Sequence, residues 1–507
     1  MSEAIRGSRV LAIDIGTSSV RAMVFDRSGT IMARSQIGYE TTRPAPYFEE
    51  QDPDLVRREV YRAIAECLAQ PGAEPGMIAG IGFSSQMYGI FPLDKEDRPL
   101  THNILWSDGR AERQAEALKR THGERYFYPE TGCPTNSIYP LTKLAWLREV
   151  RPDVFGAARR FVSIKEYVTR PLVGEWVVDY SMASATGMLD ICSRRWHSEA
   201  LAAAGVSEDQ LSRPTSGIGA FALVPNSPIA GLGLRSDVRV FLGAGDGPLA
   251  NIGSGASAVG AINIDLGTSG AARCIADAPT VDDSASLWCF CLTEDLWVYG
   301  GIVTNVGNAY QWLGSKVIGA AGLAADEAYD LMNRLAAEVA PGAGGLYFLP
   351  YLRKVRSPWW DGQLKGTLYG LNPDHGVGHI ARALLEAVAF DLKAIIGIMD
   401  ARVKTVPHIV LTGGFSKSPL VPQLLANVLG RELRTPDHGE GSVAGAAILA
   451  FKALGETGEL AFAGGPRAYR SYSPDPALVD RYDHLFRGYA RLVGAMRGID
   501  LTEEGQR

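Results

Sequence analysis

The chain has 507 residues, longer than one ordinary domain, so two are expected. A hydrophobic fraction of 46% with 21% charged residues is that of a water-soluble globular protein, and no apolar run reaches the length of a membrane span. A net charge of −6 without a basic run gives no reason to expect nucleic acid as a partner, and the six cysteines form no CxxC pair, so reduced thiols and a cytoplasmic location are expected.

The residues before Val10 lack the apolar core of a secretory signal. Val10 to Asp26 reads as a β-hairpin whose second strand alternates through Val20, Ala22 and Val24. Its turn is unusually polar, offering Asp14, Gly16, Thr17, Ser18 and Ser19. Backbone N–H groups around a glycine turn make a concave anion site, and a carboxylate beside it suits a hydrated Mg²⁺ riding on phosphates. Glu49 to Asp54 then leads into a helical pattern through Val56, Val60, Ile64 and Leu68, with Asp52 or Asp54 as its cap. Met77 to Ser84 is a short apolar strand ending at Ser84-Ser-Gln-Met-Tyr88, and a strand that runs into polar residues at its end is where α/β sheets put ligands. Leu105-Trp-Ser-Asp-Gly-Arg110 repeats that design, and Pro140 to Val150 is amphipathic helix. Lys165-Glu-Tyr167 and Asp179 to Gly187 read locally as a helix turn and a capped loop. Val238 to Leu242 is a strand ending in Gly243-Ala-Gly-Asp-Gly247, and small residues from Ala250 to Gly260 mark a hinge or boundary.

About half a chain length after Asp14, the pattern Asp-x-Gly-Thr-Ser recurs at Asp265 to Ser269. Two halves that open on the same phosphate-type hairpin suggest a duplicated domain with a cleft between the copies. The expected division is 1–255 and 256–507. Thr304 to Asn308 leads into a helix carrying Gln311, and Ile380 to Met399 is a long helix. Ile409 to Ser418 is a strand, a Gly-Gly turn and a helix start, where paired glycines let backbone approach a flat or anionic ligand. Val443 to Leu454 is a helix that opens with small residues, and Thr502 to Arg507 read as a frayed polar tail.

With both hairpins, the Gly-Asp-Gly turn and the Gly-Gly-Phe-Ser turn in that order, the chain resembles the FGGY carbohydrate kinases over almost its whole length. The resemblance implies an α/β protein of two ribonuclease H-like domains of the actin, hexokinase and Hsp70 type, with a central cleft. It implies ATP and Mg²⁺ as cofactors, a sugar or sugar acid as substrate, a possible homodimer, and no membrane or nucleic-acid partner. Position by position, it implies Asp14 beside the metal and Asp246 as catalytic base. Gly16, Thr17, Ser18 and Arg21 fall on the first phosphate loop and Gly267 and Thr268 on the second. Gly307 and Gln311 would border the phosphates, Gly414 and Ser418 the adenosine. Gln86, Met87, Trp106 and Asp108 fall where family members line the sugar. The segment Tyr351-Leu-Arg-Lys-Val-Arg356 and Asn427 depart from the family pattern, and only the Pro140-x-x-Lys143-x-x-Trp146 centre of another signature is kept.

Within the family the greatest likeness is to gluconate kinases, through Ile164-Lys-Glu-Tyr167, Asp179 to Met188, Gly243 to Gly247 and Gly267 to Ala271. Xylulose kinases share the Asp-Tyr-Ser segment and the Gln-Met pair, so a ketose or polyol kinase is the alternative. A non-catalytic nucleotide-binding protein of the same fold would not need Asp246 or a polar sugar pocket. A gluconate carboxylate calls for a cation, with Lys165 and Arg110 as the candidates.

Overall fold

The computed structural model describes residues 8–317, 325–437, 440–464, 468–497 and 499. The 502–507 tail lies outside them. Along the chain run β1 (Arg9–Ile15), β2 (Ser19–Asp26), β3 (Ile31–Gly38), α1 (Pro53–Leu68), β4 (Ile78–Ser85), α2 (Ile164–Val173), α3 (Tyr180–Ser184), β5 (Arg239–Gly245), α4 (Asp246–Ser254), β6 (Ile262–Leu266) and β7 (Gly270–Ala276). They are followed by α5 (Val377–Asp400), β8 (His408–Thr412), α6 (Val421–Leu429), β9 (Glu432–Pro436), α7 (Gly441–Ala453), β10 (Tyr469–Tyr472) and α8 (Pro476–Met496). The chain forms two compact units. The first comprises Met1–Val259, Ile275–Tyr299 and Gly439–Pro466, and the second Gly260–Cys274, Gly300–His438 and Arg467–Arg507.

In the first unit the strand order is β3–β2–β1–β4–β5. The first three strands form an antiparallel meander, while β4 and β5 run parallel to β1. Alternation along the strands sends Leu11, Ile13 and Ile15, Val20, Ala22 and Val24, and Ile81 and Phe83 into one core with Val56, Val60 and Ile64 of α1. Asp52 caps that helix, its carboxylate accepting from the N–H groups of Asp54 and Leu55. The alternate residues of β4 meet α7. There an added Cβ on Gly82 would lie 2.7 Å from Ala446 O. Helix α7 also packs on α4 through glycines. A Cβ on Gly445 would enter the space of Leu249 O, and one on Gly253 that of Gly441 O. This close approach explains why the packing places α7 with the first unit, although a single division after residue 255 would put it in the second. The first crossing falls at Val259 and Gly260, inside the small-residue stretch read from the sequence as a hinge or domain boundary.

The second unit repeats the plan. Strands β6 and β7 form an antiparallel hairpin, β8 runs parallel to β6, and β9 and β10 follow in the order β7–β6–β8–β9–β10. The duplication extends to side chains. Asp14 on β1 stands opposite Ser84 on β4, whose hydroxyl donates to Asp14 Oδ1 at 2.6 Å. Asp265 on β6 stands opposite Thr412 on β8, whose hydroxyl donates to Asp265 Oδ1 at 3.2 Å. Each unit is ribonuclease H-like. The loops differ by one residue: Ile15 pairs with Val20, whereas Leu266 pairs with Gly270.

Candidate functional site

In the first unit the hairpin turn is held from below. Gly16 N–H donates to Ser19 O at 3.0 Å, Tyr39 OH donates to Gly16 O at 2.6 Å, and Gln51 Nε2 donates to Thr17 O. The hydroxyl of Thr17 donates to Gln86 Oε1 (3.3 Å) and accepts from Trp106 Nε1 (3.1 Å), while Gln86 Nε2 donates to Gln51 Oε1 (2.7 Å). The structure therefore brings Thr17, Gln86 and Trp106, expected on separate grounds, into one neutral network. Gln51 joins it and is the member that sequence reasoning missed, because Glu49 to Asp54 reads there only as the leader of α1. Ser18 is exposed at the tip of the turn.

Asp14 is buried, with 4% of its surface exposed. Besides Ser84, it accepts from Arg21 Nη2 at 2.6 Å, opposite it in the hairpin register. Arg21 also reaches Ser442 Oγ (3.3 Å) and Glu440 (3.8 Å), at the start of α7. Among the described residues no group of three or more His, Cys, Asp or Glu side chains could hold a metal unaided. One carboxylate beside hydroxyls and turn N–H groups fits a Mg²⁺ that keeps its waters and arrives on phosphates.

The sugar-side candidates separate into two kinds. Met87 is buried against Gly245, where an added Cβ would collide with its side chain. Asp108, by contrast, is spent on Arg110 and on the backbone N–H of Glu49. Its Oδ1 accepts from Arg110 N and Nε (both 2.9 Å), and its Oδ2 from Arg110 Nη2 and Glu49 N (both 2.7 Å). Arg110 also donates to Glu50 (2.7 Å) and stacks 3.8 Å above Phe48, with Trp146 at 5.0 Å. The retained Pro-x-x-Lys-x-x-Trp motif gains its physical reason here. Fully buried Lys143 donates to the carbonyls of Tyr88 (2.8 Å) and Leu105 (2.7 Å), fixing the loops that carry Met87 and Trp106.

Lys165 does not present a free cation. It is 1% exposed, and its ammonium donates to Asp179 Oδ2 (2.7 Å) and Ala244 O (2.8 Å). Burial pulls it below the usual lysine range, while Asp179, and then Asp246 and Glu166 nearby, favour the charge. Both candidate partners for a substrate carboxylate, Lys165 and Arg110, are thus already paired with protein carboxylates. Asp246 opens α4 just past β5, half-buried, with Oδ1 accepting from Gly247 N–H at 2.7 Å.

In the second unit Gly267 N–H donates to Ser269 O (2.9 Å), and the loop is clamped by Gly307 N–H to Gly267 O (3.1 Å) and Asn308 N–H to Thr268 O (3.0 Å). Thr268 and Gln311 are exposed. Gly413, at φ 85°, turns the chain against Leu266, while Gly414 is exposed with open space where a side chain would begin. Ser418, expected to border the adenosine, follows directly on the Gly-Gly turn. It is 3% exposed, its hydroxyl caps α6 by accepting from Leu420 N and Val421 N (both 3.2 Å), and it donates to Asn333 Oδ1 (3.3 Å). The turn Gly414–Lys417 is a short 3₁₀ helix, and α6 begins only after it. The departure at Asn427 is structural too: its Oδ1 accepts from Asp475 N at 2.8 Å, anchoring the residue that caps α8.

This two-unit plan, with a phosphate-type hairpin in each, agrees with the family models. The model for the N-terminal domain of the FGGY family of carbohydrate kinases matches residues 9–253, and that for the C-terminal domain matches residues 262–454. The chain belongs to the FGGY family of carbohydrate kinases. A gluconokinase of Bacillus licheniformis is 36% identical over 457 residues, covering 89% of this chain and 88% of that protein. A crystal structure of gluconate kinase from Lactobacillus acidophilus superposes with a TM-score of 0.90 at 30% identity, covering 97% of this chain and 99% of that one. Ligand-bound xylulose kinase from the same organism gives the same TM-score, identity and coverage. The chain is therefore a carbohydrate kinase. No helix among the described residues is long and apolar enough to cross a membrane.

Proposed function

We propose that this kinase transfers the γ-phosphoryl group of ATP to a hydroxyl of D-gluconate, forming 6-phosphogluconate. The observation that carries the choice of substrate is the 36% identity to a gluconokinase over nearly the whole chain. In this reading Asp246 accepts the proton of the attacking hydroxyl. Phosphoryl transfer asks the protein mainly for positioning and charge stabilisation. The turns at Thr17–Ser18 and Gly267–Thr268 offer backbone N–H and hydroxyl donors to the phosphate oxygens, each such donor worth about 3 kcal/mol to a transition state that develops charge there. Asp14 would hold Mg²⁺ through water, and a bound Mg²⁺ supplies neutralisation of phosphate charge. The neutral Thr17–Gln86–Trp106 network suits sugar hydroxyls. With Lys165 and Arg110 both paired, the substrate carboxylate would be met by N–H and O–H donors.

The equal match to a ligand-bound xylulose kinase supports xylulose as the second reading. An ADP-release assay over sugar acids, ketoses and polyols separates the two. The proposal expects the highest kcat/KM on gluconate. Turnover of xylulose with none of gluconate would overturn it without touching the kinase assignment.

A further inference from the structure

The peptide unit between Ala244 and Gly245, immediately before Asp246, is braced on both of its polar atoms. Its carbonyl oxygen accepts from Lys165 Nζ at 2.8 Å, and its N–H donates to Ser181 Oγ at 3.1 Å. In a trans peptide these two groups point in opposite directions, so the contacts fix the plane from both sides. The brace is itself anchored. Asp179 Oδ2 holds the lysine at 2.7 Å, and Asp179 Oδ1 accepts from Met182 N–H at 2.9 Å, capping the α3 turn that carries Ser181.

The strand needs this support because its ladder is broken just upstream. The β4–β5 register shifts between Phe241 and Ala244, and Gly243 adopts φ 65°, where an added Cβ would overlap Phe83 O. A buried ion pair is a weak source of stability, since well-packed apolar residues often replace one at no cost. What a lysine provides here, and an apolar side chain cannot, is a directed donor to one carbonyl.

We infer that Lys165, Asp179 and Ser181 form a positioning device that sets the backbone from which Asp246 reaches the acceptor hydroxyl. This rests on reading Asp246 as the base. Lys165 then acts equally on every acceptor, charged or neutral, whereas a lysine that bound the substrate carboxylate would matter for gluconate alone.

The experiment compares the wild-type enzyme with Lys165→Met/Asp179→Asn, Ser181→Ala and Asp246→Asn, on gluconate and on a neutral polyol or ketose that the wild type turns over. The double variant removes both charges together, so no unpaired ion is left buried, and Ser181→Ala tests the other side of the peptide should the double variant not fold. The expected result is a kcat lower by about 100-fold for the double variant, the scale of a 1 Å misplacement. The loss is the same for both acceptors, KM stays within about threefold, and Ser181→Ala shows a smaller loss of the same kind. In the Asp246→Asn background the double substitution should cost nothing further. A folded double variant with wild-type kcat would overturn the inference, as would a loss confined to the KM of gluconate. If Asp246→Asn itself keeps its turnover, the assignment of the base fails. If Asp246→Asn is inactive while the double variant is active, only the positioning role fails.

Discussion

Asp391 sits in the middle of α5, 2% exposed, and its Oδ1 accepts from Trp359 Nε1 (2.8 Å), Tyr351 OH and Tyr489 OH (both 3.1 Å). These partners are neutral. Burial therefore outweighs the three donors and pushes the carboxyl up to about 7, from an ordinary 3.8. At about 1.36 kcal/mol per pH unit, that difference is worth about 4 kcal/mol. The folded chain keeps a proton that the unfolded chain releases. The contribution is thus complete below pH 3.8 and is lost as the pH rises through about 7. Asp391→Asn keeps an acceptor oxygen and cannot ionise. In urea denaturation its stability relative to wild type should rise by about 3 kcal/mol between pH 5 and pH 8. Parallel pH profiles for the two proteins would refute the reasoning, because the carboxyl would then titrate alike in the folded and unfolded chains. The site joins α5 to α8 and to the segment opened by Tyr351, so the effect should appear in the unfolding of the second unit.

Asp246→Asn should fold and bind both substrates while turnover falls by at least about 100-fold, the scale of a lost general base; stopped-flow ADP release checks it. Gly414→Val meets open space and should leave the melting temperature unchanged while weakening nucleotide affinity in calorimetry. Gly413→Val, at φ 85° and pressed on Leu266, should instead destabilise the fold, visible as a lower melting temperature. Gly445→Val drives a side chain into Leu249 O and should cost about 3 kcal/mol or more in denaturant titration, as overpacking does.

The two hairpins were legible in the sequence because strand alternation and a Gly-Thr-Ser turn are local properties, and their repetition half a chain apart indicates duplication. The start of α1 was equally legible, since Asp52 caps through N–H groups only two and three residues away. Sequence spacing could not name the partners of charged side chains. Lys165 looks like a ligand contact until the fold carries α2 and the end of β5 to the same point, where its ammonium, paired with Asp179, holds a peptide carbonyl. Asp108 and Ser418 are polar residues at promising loop positions, yet one closes its loop onto Arg110 and the other caps a helix. Small-residue faces are silent in the same way: the glycines of α7 announce close packing but not its object, which the structure reveals to be α4 and β4. The elevated carboxyl of Asp391 exists only because the 351–359 segment and α8, far from it in the chain, pack around it and exclude water. Short-range periodicity and turn chemistry determined the elements of this protein and their order. Desolvation and the pairing of groups far apart in the chain, which depend on the whole packed structure, decided which polar residues remain available for chemistry.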